Sequence, residues 1–320
     1  MRVIVTGGTG LIGLALVHSL HHDGHEVIVL GRNPNKTSGL PGGVKVTAWD
    51  AKTPQGWGQL VEGAGAIVNL AGASIAGDGF LPERWSSEKR KSIVESRVNA
   101  GRAVREAVAN ATVKPGVVIQ SSAIGIYGVH GDEELTEDSP LGDDFLAETC
   151  KQWEASTAEV EVMGVRRAVI RTGVVLDKNG GALPRMALPF KLFAGGYFGD
   201  GKQQMSWIHI DDEVNAIRFL IDNPNGSGIF NLTAPNPVTN KELSQALGKV
   251  MKRPLVAPVP GFAMKAAFGD VTTVVLDGQR VVPKRLLELG YQFKFMRIQQ
   301  ALEAIYGRTL VKAQPAAAHH

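Results

Sequence analysis

The sequence predicts an α/β fold, a doubly wound parallel sheet (Rossmann) with a smaller C-terminal helical substrate lobe, and three observations carry that expectation. The chain opens on an apolar strand, a glycine-rich turn and a helix within about 20 residues, in "MRVIVTGGTGLIG". Buried-strand patterns then alternate with helical ones as far as residue 176. Beyond it, Gly/Pro-rich and proline-punctuated stretches take over.

The first strand leads into Gly7, Gly8, Gly10 and Gly13, which fit both a G-x-x-G-x-x-G and a G-x-G-x-x-G spacing. Glycine at these points permits a tight turn, brings backbone N–H groups and the positive helix end up to a pyrophosphate, and allows close helix-to-strand packing. Gly7, Thr9, Gly10, Leu11, Ile12 and Gly13 are therefore candidate cofactor contacts. A glycine turn without a ligand is the plainer alternative. A phosphate loop of the nucleotide hydrolase type would need a lysine, and residues 7–15 contain none.

The second strand is expected in "HEVIVLGRN" (25–33). An acid at its end usually binds the ribose 2′-hydroxyl, but here Gly31 and Arg32 stand in that place. A guanidinium would attract a 2′-phosphate, which favours NADP(H) over NAD(H); an ordinary exposed loop arginine is the alternative. After the third strand, "VKVTAW" (44–49), Asp50 is a candidate acceptor for an adenine amino group or equally a turn residue.

"AIVNLAG" (66–72) reads as the fourth strand, and the small residues at its end make Leu70, Ala71 and Gly72 candidates for the adenosine side of the cofactor or for a tight turn. A long helix is expected from Glu83 to about Ala109; its charged run, which holds Arg97, reads mainly as a solvated face. "GVVIQSSA" (116–123) is the fifth strand, bringing Ser121 and Ser122 to the sheet edge, and "RAVIRTGVVL" (167–176) is the sixth. Residues 177–204 read as loop and short helix. "SWIHI" then precedes Asp211, Asp212 and Glu213, an acidic start that complements the helix dipole, and "IFNLT" (229–233) is a further strand. His209, in an apolar strand, reads as a core histidine before a catalytic one.

This assigns residues 1–176 and 205–233 to a dinucleotide-binding unit, 177–204 and 234–310 to a substrate lobe, and 311–320 to a tail ending in a tag remnant. The chain has 320 residues and a formal charge of +3, so neither nucleic acid nor a membrane surface is an expected partner. Cys150 is the single cysteine, no Cys/His/acid cluster has metal spacing, and no apolar run approaches a membrane span. The expectation is a soluble, cytoplasmic protein acting on a small molecule, with its oligomeric state unassigned.

Together, "TGGTGLIG", "NLAGA", "SSAIGIYG" and "WIHIDD" resemble the extended short-chain dehydrogenase/reductase superfamily, the nucleotide-sugar epimerases and dehydratases, over roughly residues 1–235. "NLAGASI", "ESRV", "FLAETCKQWE" and "RTGVVL" resemble its atypical epimerase-like branch, the cell-division-inhibitor (SulA-like) homologues. The resemblance implies a serine after the fifth strand and a Tyr-x-x-x-Lys pair on the next helix, where the tyrosine exchanges the substrate proton. Ser122 matches the serine and Lys151 the lysine, while Ala147 stands where the tyrosine would be. Tyr127 is then the nearby alternative proton donor, or half of a structural or substrate-contacting Tyr-Gly pair. Family position also raises Arg97 to a cofactor contact. The implied function is an NADP(H)-binding, epimerase-like oxidoreductase of a carbonyl or alcohol. The alternative is a catalytically silent NADP(H)-dependent regulator or scaffold.

Overall fold

A computed structural model describes residues 1–35, 38–77, 79 and 81–307, apart from the side chains of 274 and 275. The tail 311–320 lies outside the described residues. Seven strands form one parallel sheet: β1 (Arg2–Thr6), β2 (Glu26–Gly31), β3 (Lys45–Ala48), β4 (Ala66–Asn69), β5 (Val117–Ala123), β6 (Arg166–Thr172) and β7 (Gly228–Leu232). Their spatial order, β7-β6-β5-β4-β1-β2-β3, reverses direction between β1 and β4. Ligands bind outside the carboxyl ends of the strands at such a reversal.

Strand alternation sends successive side chains to opposite faces, and both faces are covered. Val3 and Val5 of β1 pack with Leu16, Val17 and Leu20 of α1 (Leu11–His22) and with Val214, Ile217 and Leu220 of α5 (Ile210–Asp222). Ile4 packs instead with Ala100, Ala103, Val104 and Ala107 of α2 (Ser87–Asn110). The helix α3 (Phe145–Ala155) lies beside α2 on that second face. A third core gathers Leu183, Met186 and Phe190 of α4 (Leu183–Lys191), Leu243 and Leu247 of α6 (Asn240–Met251), Trp207, and Leu302 from the helix Ile298–Tyr306. It makes a smaller helical lobe at one end of the sheet.

Two elements differ from the sequence expectation. The sixth strand ends at Thr172, because Gly173 turns the chain; a Cβ there would lie 2.5 Å from the Ser206 carbonyl oxygen. Val174–Leu176 pairs instead with Trp207–His209, outside the main sheet. The helix expected from Glu83 begins at Ser87, where the Ser86 side chain accepts from Lys89 N and fixes the start.

Candidate functional site

The turn between β1 and α1 is built so that only glycine fits. Gly7 has φ +67°, and a Cβ on it would stand 2.8 Å from the Leu70 carbonyl oxygen; one on Gly13 would stand 2.2 Å from the Gly7 carbonyl oxygen. Thr6 fixes the opposite wall. Its hydroxyl accepts from Leu70 N and Ala71 N, both at 3.1 Å, and donates to Asn69 Oδ1 at 2.7 Å. The start of α1 is left open. Its N-cap, Gly10, has no side-chain acceptor, whereas Ser86, Asp144 and His209 cap α2, α3 and α5. The first N–H groups of α1, at Leu11 and Ile12 beside Thr9, therefore face outward beside a positive dipole end.

Arg32 projects from the end of β2, exposed and without an ion pair or hydrogen bond among the described residues. Asp50 is engaged in a turn: its carboxylate accepts from Lys52 N, Thr53 N and Thr53 Oγ1, which holds its pKa below the ordinary value. Gly72 lies against Arg97, whose Cζ would be 3.0 Å from a Cβ there. Arg97 is not a solvated residue. It is buried against Trp153, 4.9 Å from the ring, and its Nη1 donates to Ala73 O and Ile93 O. Burial pushes its pKa down, and no carboxylate among the described residues pairs with it. An uncompensated buried guanidinium invites an anion.

Next to Arg97, between the sheet and the smaller lobe, is a cavity of about 310 Å³. Its walls include Leu11, Ala123, Leu146, Cys150, Trp153 and Thr172. On α3 the cavity face is therefore 146, 149, 150 and 153, a stripe at helical spacing. This corrects the register expected for the Tyr-x-x-x-Lys pair by one residue. Lys151 turns to the solvent side and pairs with Glu148 at 2.6 Å, and Ala147 is buried in the core. Leu146 and Cys150 occupy the i and i+4 places over the cavity, and neither supplies the acid or the cation. Burial pushes the Cys150 thiol up to about 11, with Arg97 acting in the opposite sense, so it is neutral at physiological pH.

The expected Ser122 and Tyr127 are likewise turned away, because alternation in β5 puts Ser122 on the α3 face. Its hydroxyl donates to Glu154 Oε1 at 2.7 Å. Arg171 Nε and Nη2 hold the same carboxylate, while Nη1 donates to Tyr127 Oη at 3.0 Å. Tyr127 in turn donates to Asn231 Oδ1 at 2.7 Å and is completely buried. These residues form a structural network joining β5, α3, β6 and β7, and this corrects the expectation that they reach the substrate. Ser121 is buried on the α1 face of β5, below Ala123. His209 caps α5 by accepting from Asp211 N. No metal-binding cluster occurs among the described residues.

Sequence reasoning passed over Leu146, Trp153, Thr172 and Glu213. The signal for the first two was present as an apolar stripe, Leu146, Cys150 and Trp153, at helical spacing. Thr172 and Glu213 meet only in the fold: the Thr172 hydroxyl donates to Glu213 Oε1 at 2.8 Å.

Residues 3–233 match the model of the NAD dependent epimerase/dehydratase family, and residues 259–305 match a domain of unknown function (DUF1731). The chain is similar to the chloroplastic epimerase family protein SDR39U1 homolog of Arabidopsis thaliana, 43% identical over 95% of this chain and 86% of that one. Epimerase family protein YfhF of Bacillus subtilis is 37% identical over 95% of this chain and 98% of its own. Among solved structures, human epimerase family protein SDR39U1 (isoform 2) with NADPH superposes with a TM-score of 0.85 at 34% identity, covering 96% of this chain and 100% of that one.

Proposed function

This chain belongs to the NAD dependent epimerase/dehydratase family, and from that premise we propose that it binds NADP(H) and reduces a small carbonyl compound, or oxidises the corresponding alcohol, in the cavity beside α3. The observation that carries the reading is the glycine cradle of Gly7, Gly10 and Gly13, with the uncapped start of α1, opening at the same sheet edge as the cavity. Its shape and unpaired N–H groups fit a pyrophosphate. Thr9, Leu11 and Ile12 complete that contact, and Arg32 meets the 2′-phosphate as a charge-assisted partner. The NADPH in the human relative supports the same cofactor here.

Leu70, Ala71 and Gly72 form the wall for the adenosine side, with Arg97 offering positive charge behind them. When bound, the cofactor supplies or accepts hydride. Asp50 stays in its turn, and Ser121, Ser122, Tyr127 and Lys151 serve the scaffold in this reading. The small lobe, residues 177–204 and 234–307, closes the substrate side. The cell-division association of the resembling branch adds no contact or chemistry to the site.

One observation favours the second reading, a catalytically silent NADP(H)-dependent regulator: Leu146 and Cys150 replace the acid and the cation. A screen of aldehydes and ketones with NADPH, followed by loss of its absorbance, separates the two. The reductase reading expects at least one carbonyl to be consumed, and expects Gly10→Val to abolish that turnover. No consumption of any carbonyl, with NADPH still raising the melting temperature and changing the protein's conformation or partner binding, favours the regulator instead.

A further inference from the structure

We propose that Thr172 and Glu213 form a buried proton relay opening on the cavity, replacing the proton donor that the Leu146 position lacks; the proposal rests on the reductase reading above. Glu213 lies in the first turn of α5, on the side facing β6, and is completely buried. Its Oε1 accepts from the Thr172 hydroxyl at 2.8 Å, while its Oε2 has no partner among the described residues. Thr172 ends β6 and lines the cavity, so its hydrogen bond to Glu213 lies at the cavity wall.

The surroundings keep Glu213 neutral. On its own helix, Asp211 pairs with Lys294 at 2.8 Å, and Asp212 accepts from Lys294 N and Phe295 N. Tyr291, packed from the other side, donates to the Asp212 carbonyl oxygen at 3.0 Å. Arg218 points away, to Asp23 and Ser19. His209 is engaged in capping α5. Among the described residues no cation is thus left to favour the carboxylate. Burial pushes its pKa up to about 8, with the Thr172 hydrogen bond in opposition.

A threonine hydroxyl alone is too weak an acid to protonate a substrate, but one backed by a carboxylic acid is not. During reduction, the carbonyl carbon gains hydride from NADPH and its C=O π bond opens. For this the Thr172 hydroxyl turns from Glu213 to the substrate oxygen, and the neutral Glu213, with its proton on Oε1, donates to Thr172 across the same 2.8 Å contact. The substrate oxygen then takes the Thr172 hydroxyl proton as the Thr172 oxygen takes the proton of Glu213. One proton leaves Glu213, which becomes a carboxylate and is later reprotonated from water; alcohol oxidation runs the same path backwards. Thr172 is the group that touches substrate, and Glu213 acts through it.

Infrared spectroscopy of the full chain without cofactor tests the relay independently of any substrate. The wild-type protein should show a protonated-carboxyl band at about pH 6 that is lost as the pH passes about 8. That band should vanish in Glu213→Gln, shift in Thr172→Val, which removes the hydrogen bond, return to its wild-type position in Thr172→Ser, and move when NADPH is added. An absent band, or one indifferent to Thr172→Val or to NADPH, overturns the relay. With a carbonyl from the screen, turnover should fall by roughly 10²-fold in Glu213→Gln with NADPH affinity unchanged. Undiminished turnover in that variant also overturns the relay, whereas a screen without any turnover overturns the reductase reading and leaves the infrared result to decide the hydrogen-bonded pair.

Discussion

Leu146 and Cys150 stand four residues apart on the cavity side of α3, in the positions that the family's proton-donating tyrosine and its lysine would have to occupy to act on a substrate. Lys151, one residue on, is paired with Glu148 toward solvent. The helix therefore presents an apolar group and a neutral thiol where acid/base chemistry is expected.

Restoring the pair at these positions should raise activity. In a Glu213→Gln background, the double variant Leu146→Tyr, Cys150→Lys is expected to increase carbonyl reduction by about 10²-fold, the scale of one general acid. Ala147→Tyr, at a completely buried position, should instead overpack the core and destabilise the protein by about 1–3 kcal/mol without raising turnover. Steady-state kinetics and urea unfolding of both variants check this, and a gain of activity from Ala147→Tyr would contradict the register.

The network around Arg171 should be read out as stability. Hydrogen bonds and charge from Glu154 overcome the burial of Arg171 and hold its pKa above the ordinary value. Arg171→Ala strands a largely buried carboxylate and should cost about 3–5 kcal/mol in urea unfolding. Tyr127→Phe leaves Asn231 and Arg171 short of a partner and should cost about 1–3 kcal/mol with NADPH affinity intact. Loss of turnover in Tyr127→Phe at unchanged stability would place the tyrosine in catalysis instead.

Glu213 gives stability a pH dependence of known sign. Its folded pKa, about 8, lies above the ordinary 4.5, so the folded state holds the proton more tightly than the unfolded one. Its contribution is fully present below about pH 4.5 and declines as the pH rises through about 8, above which the cost is constant. In Glu213→Gln that decline should disappear from a series of melting temperatures. An unchanged pH profile would show that Glu213 does not titrate in this range.

Much of the frame was legible because it depends on local pattern. "RVIVT" followed by glycines at 7, 10 and 13 specifies a strand, a turn and a helix within one short segment, and the alternation of strands and helices specifies the parallel sheet. The face of α3 was missed because matching Lys151 to a motif overrode the apolar stripe through Leu146, Cys150 and Trp153. Asp211, Asp212 and Glu213 looked alike as an acidic helix start, yet the first meets Lys294, the second pins the backbone at 294 and 295, and the third is buried beneath Thr172. Tyr127 and Asn231 are 104 residues apart, and no local pattern announces their hydrogen bond.

The most direct test of the account is calorimetric titration of the protein with NADPH and with NADH. If Arg32 meets the 2′-phosphate beside the glycine cradle, NADPH should bind at least tenfold more tightly, about 1.4 kcal/mol, and Arg32→Ala should remove most of that difference. Equal affinities for the two cofactors in the unmodified protein would contradict it.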